Sequence, residues 1–162
     1  MNLVYSIVIF SGFAILENEL PEIPEVDSCI AVEEQAEGAS SALVDSILSY
    51  AVSFLGVPYV YGGIDSTGFD CSGLAFRVFN DYGVPLPRTV SAMELVGVAV
   101  DRDDLRPGDL LIFDNPVHTG IYLGNGDFIH CSSYLDRGVV ITPITHSNYA
   151  RRYSSARRVL PE

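Results

Sequence analysis

The chain predicts an α+β fold, with N-terminal helices packed on one face of an antiparallel β-sheet meander. Apolar residues recur at helical spacing in the first half, at 43, 47, 51, 54 and 55 and again at 74, 75, 78 and 79. Beyond "RPGDLLIF" (106–113) the pattern changes to short apolar runs parted by Gly, Asn and Asp. Helices first and strands afterwards argue for segregated layers rather than alternating βαβ units. With 162 residues, the chain suits one domain with a real core.

Composition narrows the function. Apolar residues make up 48% and charged residues 19%, a globular balance. The net charge is −12 and every basic side chain is an arginine, which argues against sequence-independent nucleic-acid binding. No arginine precedes Arg77, while Arg151, Arg152, Arg157 and Arg158 cluster late and read as the solvated face of a last strand. The three cysteines, Cys29, Cys71 and Cys131, are an odd count without a C-x-x-C pair. That disfavours a disulfide framework, a zinc ribbon and a thioredoxin-like redox site.

Residues 1–16 hold the apolar run "LVYSIVIFSGFAIL", too short for a comfortable membrane span and suited to a secretory h-region. The preceding residues lack Lys or Arg and no clean cleavage site follows, so a buried strand stays open beside a signal or export segment. Residues 17–39 are acidic, contain two prolines and lack periodicity, which reads as a linker or solvated arm. A helix is expected from Ser40 or Ser41, either of which could cap it, to Gly56. "VPYVYGGIDSTG" is an extended piece entering a loop, and Cys71–Tyr82 is a second helix closed by Gly83. "VPLPRTVSAMELVG" is a proline-punctuated loop with one short helix. "HTGIYLG", "DFIHCSS", "GVVITPI" and "RRYSSARRVL" are short strands, with "GNGD" a hairpin signal between the first two.

Chemistry gathers at Cys71. A thiol at a helix N-terminus sits in the positive end of the dipole, which favours a reactive thiolate; a capping or core cysteine would look similar. His118 begins one strand and His130 lies on its hairpin partner. Two imidazoles on one side of the sheet would supply a base for the thiol and a group to hold that base in one tautomer. A half-buried strand histidine and a loop histidine are the plainer readings. His146 reads as solvated or as a cap.

These residues resemble a family. "GVPYVYGGIDSTGFDCSGL" is similar to the nucleophile segment of the NlpC-type cell-wall cysteine peptidases, which have a papain-like core. "LPRT", "RPGDLLIF" and "HTGIYLGNGDFIH" resemble that family's later segments in order and spacing, over roughly residues 42 to 160. The resemblance implies that residues 40–162 form a papain-like catalytic domain. It implies Cys71 as nucleophile, His118 as general base and later acid, and His130 as the residue that orients His118. Tyr59 would support the oxyanion together with the backbone N–H of Cys71. Asp70 and Ser72 would receive the free amino end of a stem peptide; Asp70 is equally suited to cap the helix. Arg88 falls where the family commonly has arginine, as a structural ion pair in preference to a substrate contact. Gly62 and Gly63 would allow a close turn under the cleft. Thr119 and Cys131 depart from the family pattern; by strand alternation Cys131 should point away from His130 into the core.

The implied reaction is hydrolysis of a peptidoglycan stem-peptide amide, γ-D-glutamyl to a diamino acid, through a thioester. It calls for no metal or other cofactor. The implied partners are stem peptides or muropeptides, with no nucleic acid and no stable membrane span. The implied location is extracytoplasmic (periplasmic, cell-surface or secreted), with a cytoplasmic recycling role open. The alternatives are a papain-like amidase cutting another wall amide and a catalytically silent wall-binding domain. A redox role for Cys71 is disfavoured, since no resolving cysteine lies near it in sequence.

Overall fold

The computed structural model describes residues 27–134 and 138–160, with side chains from Ser40 onward. The apolar stretch 1–16, residues 17–26 of the acidic arm and the side chains of residues 27–39, Cys29 among them, lie outside the described residues. Helix α1 (Asp27–Ser53) is followed by a small hairpin, β1 (Ile64–Asp65) and β2 (Gly68–Phe69), and then by α2 (Cys71–Asp81). Next come α3 (Val90–Met93), β3 (Val98–Val100), a 3-10 turn at Arg102–Asp104, β4 (Leu110–Phe113), β5 (His118–Gly124) and β6 (Asp127–Cys131). The chain continues through β7 (Val139–Pro143), α4 (Ser147–Ala150) and β8 (Tyr153–Arg158).

Six strands form one antiparallel sheet in the order β3-β8-β4-β5-β6-β7. Strands β4 to β7 are the expected meander. Strand β8 departs from it, returning to lie between β3 and β4. At the β5–β6 hairpin, Asn125 and Gly126 both take positive φ, as a tight two-residue turn requires.

Side-chain alternation divides the core between the two faces of the sheet. Leu110, Ile121, Ile129, Cys131 and Val139 pack with Ile47 and Ala51 of α1 and with Leu74, Val78 and Phe79 of α2. Leu111, Phe113, Phe128 and Ala156 point the other way and pack with Ile144 and Tyr149. Strand β4 is consequently buried along its whole length, as a two-faced strand must be. The long helices do share one face, as expected. The opposite face is closed as well, by an aromatic cluster around Tyr149 of α4.

The first helix begins earlier than the sequence suggests. It starts at Asp27, so Ser40 and Ser41 lie inside it and the acidic arm is helical from residue 27. The stretch "IAVEEQAEGASSALV" lacks an amphipathic period but is rich in Ala, Glu and Gln, whose helix propensity carries the helix N-terminally. Among the described residues, no helix is long and apolar enough to cross a membrane.

Candidate active site

The site opens where β2 turns into α2. Asp70 caps the helix, its Oδ1 accepting from the Gly73 N–H at 2.6 Å. The loop before it passes directly under the helix start. A Cβ on Gly73 would collide with the Gly63 carbonyl oxygen, so only glycine permits this approach.

Asp70 is more than a cap. Its oxygens also accept from the Gly62 N–H at 2.9 Å and the Ser72 hydroxyl at 3.2 Å. Arg88 forks onto both of them, at 2.9 and 2.6 Å, and also reaches Ser72 Oγ at 2.8 Å. Such bidentate pairing is the strong form of the carboxylate–guanidinium contact. Burial pushes the Asp70 carboxyl up, but Arg88 and the Gly73 and Gly62 N–H groups prevail and hold it below the usual carboxylate range. Arg88 thus makes the ion pair expected of it. With five hydrogen bonds already accepted, Asp70 has little capacity left for an incoming ammonium.

Cys71 is half-buried at the mouth of α2, and its sulfur faces the backbone N–H groups of Thr119, Ser72 and Cys71 itself. Those donors favour thiolate. Burial, followed by the Asp70 carboxylate, outweighs them and raises the thiol above its ordinary value. The helix terminus alone predicted the reverse; desolvation is the reason for the difference. Tyr59 lines the same wall, its phenol raised first by burial and then by Cys71 and Asp70.

The facing wall belongs to the sheet. Thr119, whose N–H meets the sulfur, directly follows His118. Nε2 of His118 lies 2.9 Å from Nδ1 of His130, and Nε2 of His130 lies 3.0 Å from Oγ1 of Thr142. The two rings meet edge to face with centroids 4.9 Å apart. Strand β5 carries Gly120 across from His130, and a Cβ there would meet the Phe128 ring and the His130 Cβ. Glycine at this position lets the hairpin bring the rings together.

His130 is fully buried, stacked on Phe128 at 4.6 Å and met edge-on by Tyr149 at 4.9 Å. Burial, with the Arg152 guanidinium adding to it, pushes the His118 imidazole down to about 3. Burial, then His118, Arg152 and His146, likewise holds His130 well below the ordinary histidine range. Both rings are neutral near pH 7.

The structure therefore gathers Tyr59, Asp70, Cys71, Ser72 and Arg88 on the α2 wall, and His118 and His130 opposite. His146 caps α4, with Nδ1 accepting from the Asn148 N–H at 3.4 Å. Cys131 points away from His130; its thiol, pushed up to about 12 by burial, donates to the Phe69 carbonyl at 3.1 Å. Among the described residues, no cluster of three or more His, Cys, Asp or Glu side chains could hold a metal.

Two residues escaped the sequence reading, Thr142 and Tyr149, and a third, Arg152, was expected to be solvated. Arg152 is not on a solvated strand face. It precedes β8 and donates to the carbonyls of Asp114, at 2.9 Å, and of Pro116, pinning the loop before His118. Arg158 likewise turns inward, onto the buried Asp109 at 2.9 Å. The even separation of His130 and Thr142 was the one available signal, but the intervening loop hid the register.

A thiol at a helix mouth beside a histidine-bearing antiparallel sheet defines a papain-like α+β domain. The chain belongs to the NlpC/P60 family, whose model matches residues 56–158. It is 36% identical over 123 residues to a γ-D-glutamyl-L-lysine dipeptidyl-peptidase from Bacillus cereus, covering 72% of this chain and 37% of that protein. It is 38% identical over 118 residues to the Escherichia coli murein DD-endopeptidase MepS/murein LD-carboxypeptidase, covering 70% and 62%. An NlpC/P60 family crystal structure from Bacillus cereus superposes with a TM-score of 0.69 at 35% identity, over 73% of this chain and 40% of that one. The chain thus spans less than two thirds of the length of either curated relative.

Proposed function

We propose that this protein is a cysteine peptidase that hydrolyses an amide in peptidoglycan stem peptides, the bond from γ-D-glutamyl to a diamino acid, outside the cytoplasm. The observation that carries the reading is the Cys71 thiol at the mouth of α2, facing the Thr119 N–H that adjoins His118 and the His118–His130–Thr142 chain. The names of the B. cereus and E. coli relatives support the substrate class.

The resting pair is a neutral thiol and a neutral imidazole. His118 acts as base through Nδ1, so its proton sits on Nε2 and is donated to Nδ1 of His130. His130 in turn carries its proton on Nε2 and donates to Thr142 Oγ1. When substrate arrives, the Cys71 proton passes to His118 Nδ1 as sulfur bonds to the amide carbon. The resulting imidazolium donates more strongly to His130, which steadies the charge. The oxyanion takes the Cys71 N–H, one of the helix's unsatisfied first-turn donors, and the Tyr59 hydroxyl, which its raised pKa keeps protonated. The carbon–nitrogen bond then breaks and His118 returns the proton to the departing amine. Water, deprotonated by His118, cleaves the thioester, releasing a carboxylic acid and the free thiol. Asp70, Ser72 and Arg88 form one hydrogen-bonded cluster that holds the helix mouth.

Digestion of muropeptides of defined structure, read by mass spectrometry, tests this. Cleavage at the γ-D-glutamyl bond is expected, falling by at least about 10³-fold in Cys71→Ala with the circular dichroism spectrum unchanged. Cleavage at a different wall amide would favour the amidase reading, to which the DD-endopeptidase name of the E. coli relative lends support. Binding without cleavage would favour a silent domain.

A further inference from the structure

Beside the loop that leads into His118 lies a pocket of about 700 Å³, bordered by Pro116, Tyr134, His146, Arg151 and Arg152. Among the described residues, no acidic side chain lines it. That is unusual in a chain with 21 Asp and Glu against 9 basic residues. Three arginines elsewhere pair with acids: Arg77 with Asp81, Arg88 with Asp70 and Arg158 with Asp109. Here, among the described residues, Arg151 and Arg152 do not. Arg152 is held by the Asp114 and Pro116 carbonyls and lies over the Tyr149 ring at 5.6 Å. Arg151 uses only Nε, donating to the Ser147 carbonyl at 3.0 Å, which leaves both terminal nitrogens of an exposed guanidinium without a partner among the described residues.

The cavity sits on a particular side of the reaction. Pro116 is two residues before His118, and Tyr149 touches His118, His130 and His146 at centroid distances of 5.7, 4.9 and 5.9 Å. Tyr59, Asp70, Ser72 and Arg88 lie across the sulfur on the α2 wall. His118 gives its proton to the leaving nitrogen, so whatever that nitrogen carries extends along the His118 side. In the proposed substrate the leaving portion is a diamino acid bearing a carboxylate. A guanidinium with two free terminal nitrogens matches a carboxylate as a fork.

We propose that this cavity is a carboxylate subsite for the leaving diamino-acid portion, with Arg151 as its anion-binding side chain. The subsite rests on the peptidase reading for its substrate but can be tested apart from it. Two peptides with the same scissile bond would be compared, one with a free diamino-acid carboxylate and one amidated there. A third would carry the amide on the glutamyl α-carboxylate instead. The protein should prefer the free diamino-acid carboxylate by about tenfold in kcat/KM, mostly through KM, as befits a charge-assisted contact. In Arg151→Ala that preference should vanish, and Arg151→Lys should restore part of it. Equal use of both peptides by the wild type overturns the proposal. So does a uniform slowing in Arg151→Ala, or a preference that follows the glutamyl carboxylate.

Calorimetric titration of Cys71→Ala with the released diamino-acid peptide, free and amidated, decides the matter without turnover. Tighter binding of the free acid, abolished by adding Arg151→Ala, supports the subsite; equal binding of the two forms sinks it. If none of the peptides is cleaved, the peptidase reading fails while the titration still gives its answer.

Discussion

On the α2 wall of the cleft, the charged groups are tied to others close by: Asp70 to Gly62, Ser72, Gly73 and Arg88, within a segment of some thirty residues. On the sheet wall, the polar chain His118–His130–Thr142 runs through a nest of rings, Phe113, Phe128 and Tyr149, drawn from β4, β6 and α4. The first wall holds charge that is already neutralised. The second holds imidazoles kept neutral by desolvation, with a cation behind them. One wall therefore mainly fixes geometry, and the other mainly moves protons. Apart from Cys71 and Tyr59, which the reaction itself uses, substitutions should separate along that line, stability moving with the first wall and rate with the second.

The largest separation is expected at His118. His118→Ala should lower kcat by about 10³-fold with little change in the urea midpoint, and His130→Ala should cost less, because it removes the orienting group and spares the base. A large loss of stability in His118→Ala would erase the division between the walls, whereas His130→Ala empties a fully buried ring site and is destabilising for that reason alone. Asp70→Ala should do the opposite and destabilise by roughly 2–4 kcal/mol in urea titration, since it removes a cap and strands a part-buried guanidinium. Retention of full stability would show that Arg88 finds another partner.

A pH series sharpens the contrast. The folded-state values of both histidines lie below the unfolded value near 6.5, so burying them neutral is costless to folding only above that pH. Stability should be complete above about 6.5 and decline as pH falls toward the depressed folded values. In His130→Gln the decline below pH 6.5 should be shallower, which thermal unfolding between pH 7 and pH 4 would measure. The acid limb of kcat/KM should also fall below the ordinary histidine range. The smallest effect is expected from Thr142→Val. Losing the acceptor for His130 Nε2–H should reduce kcat roughly five- to tenfold at unchanged KM, with Thr142→Ser recovering most of it. A change in KM instead would make Thr142 a substrate contact.

The same division explains what could be read from the residues alone. Cys71, its capping acid and the Arg88 ion pair lie in one short stretch whose turn and helix signals are local, so their placement follows from spacing. His118 and His130 flank a hairpin whose turn residues announce it. Thr142, Tyr149 and Arg152 depend on the register of β7 and β8 and on how α4 folds back, and no local pattern encodes these. Arg152 misled for a related reason: a run of arginines near a strand looks solvent-facing until the loop it pins is in view. The direction of the Cys71 shift was also hidden, because a dipole can be inferred from position, whereas desolvation depends on everything packed around it. The start of α1 is the converse case, where propensity outweighed a missing period.

Strand β8 lies between β3 and β4, with Ala156 in the core and Arg158 clasping Asp109. In the order of synthesis the sulfur and both imidazoles thus precede the strand that completes their backing sheet. Until that strand docks, β4 has an open edge and the loop ahead of the first histidine lacks its anchor. Synthesis order alone keeps the chemistry unassembled until nearly the whole domain is present.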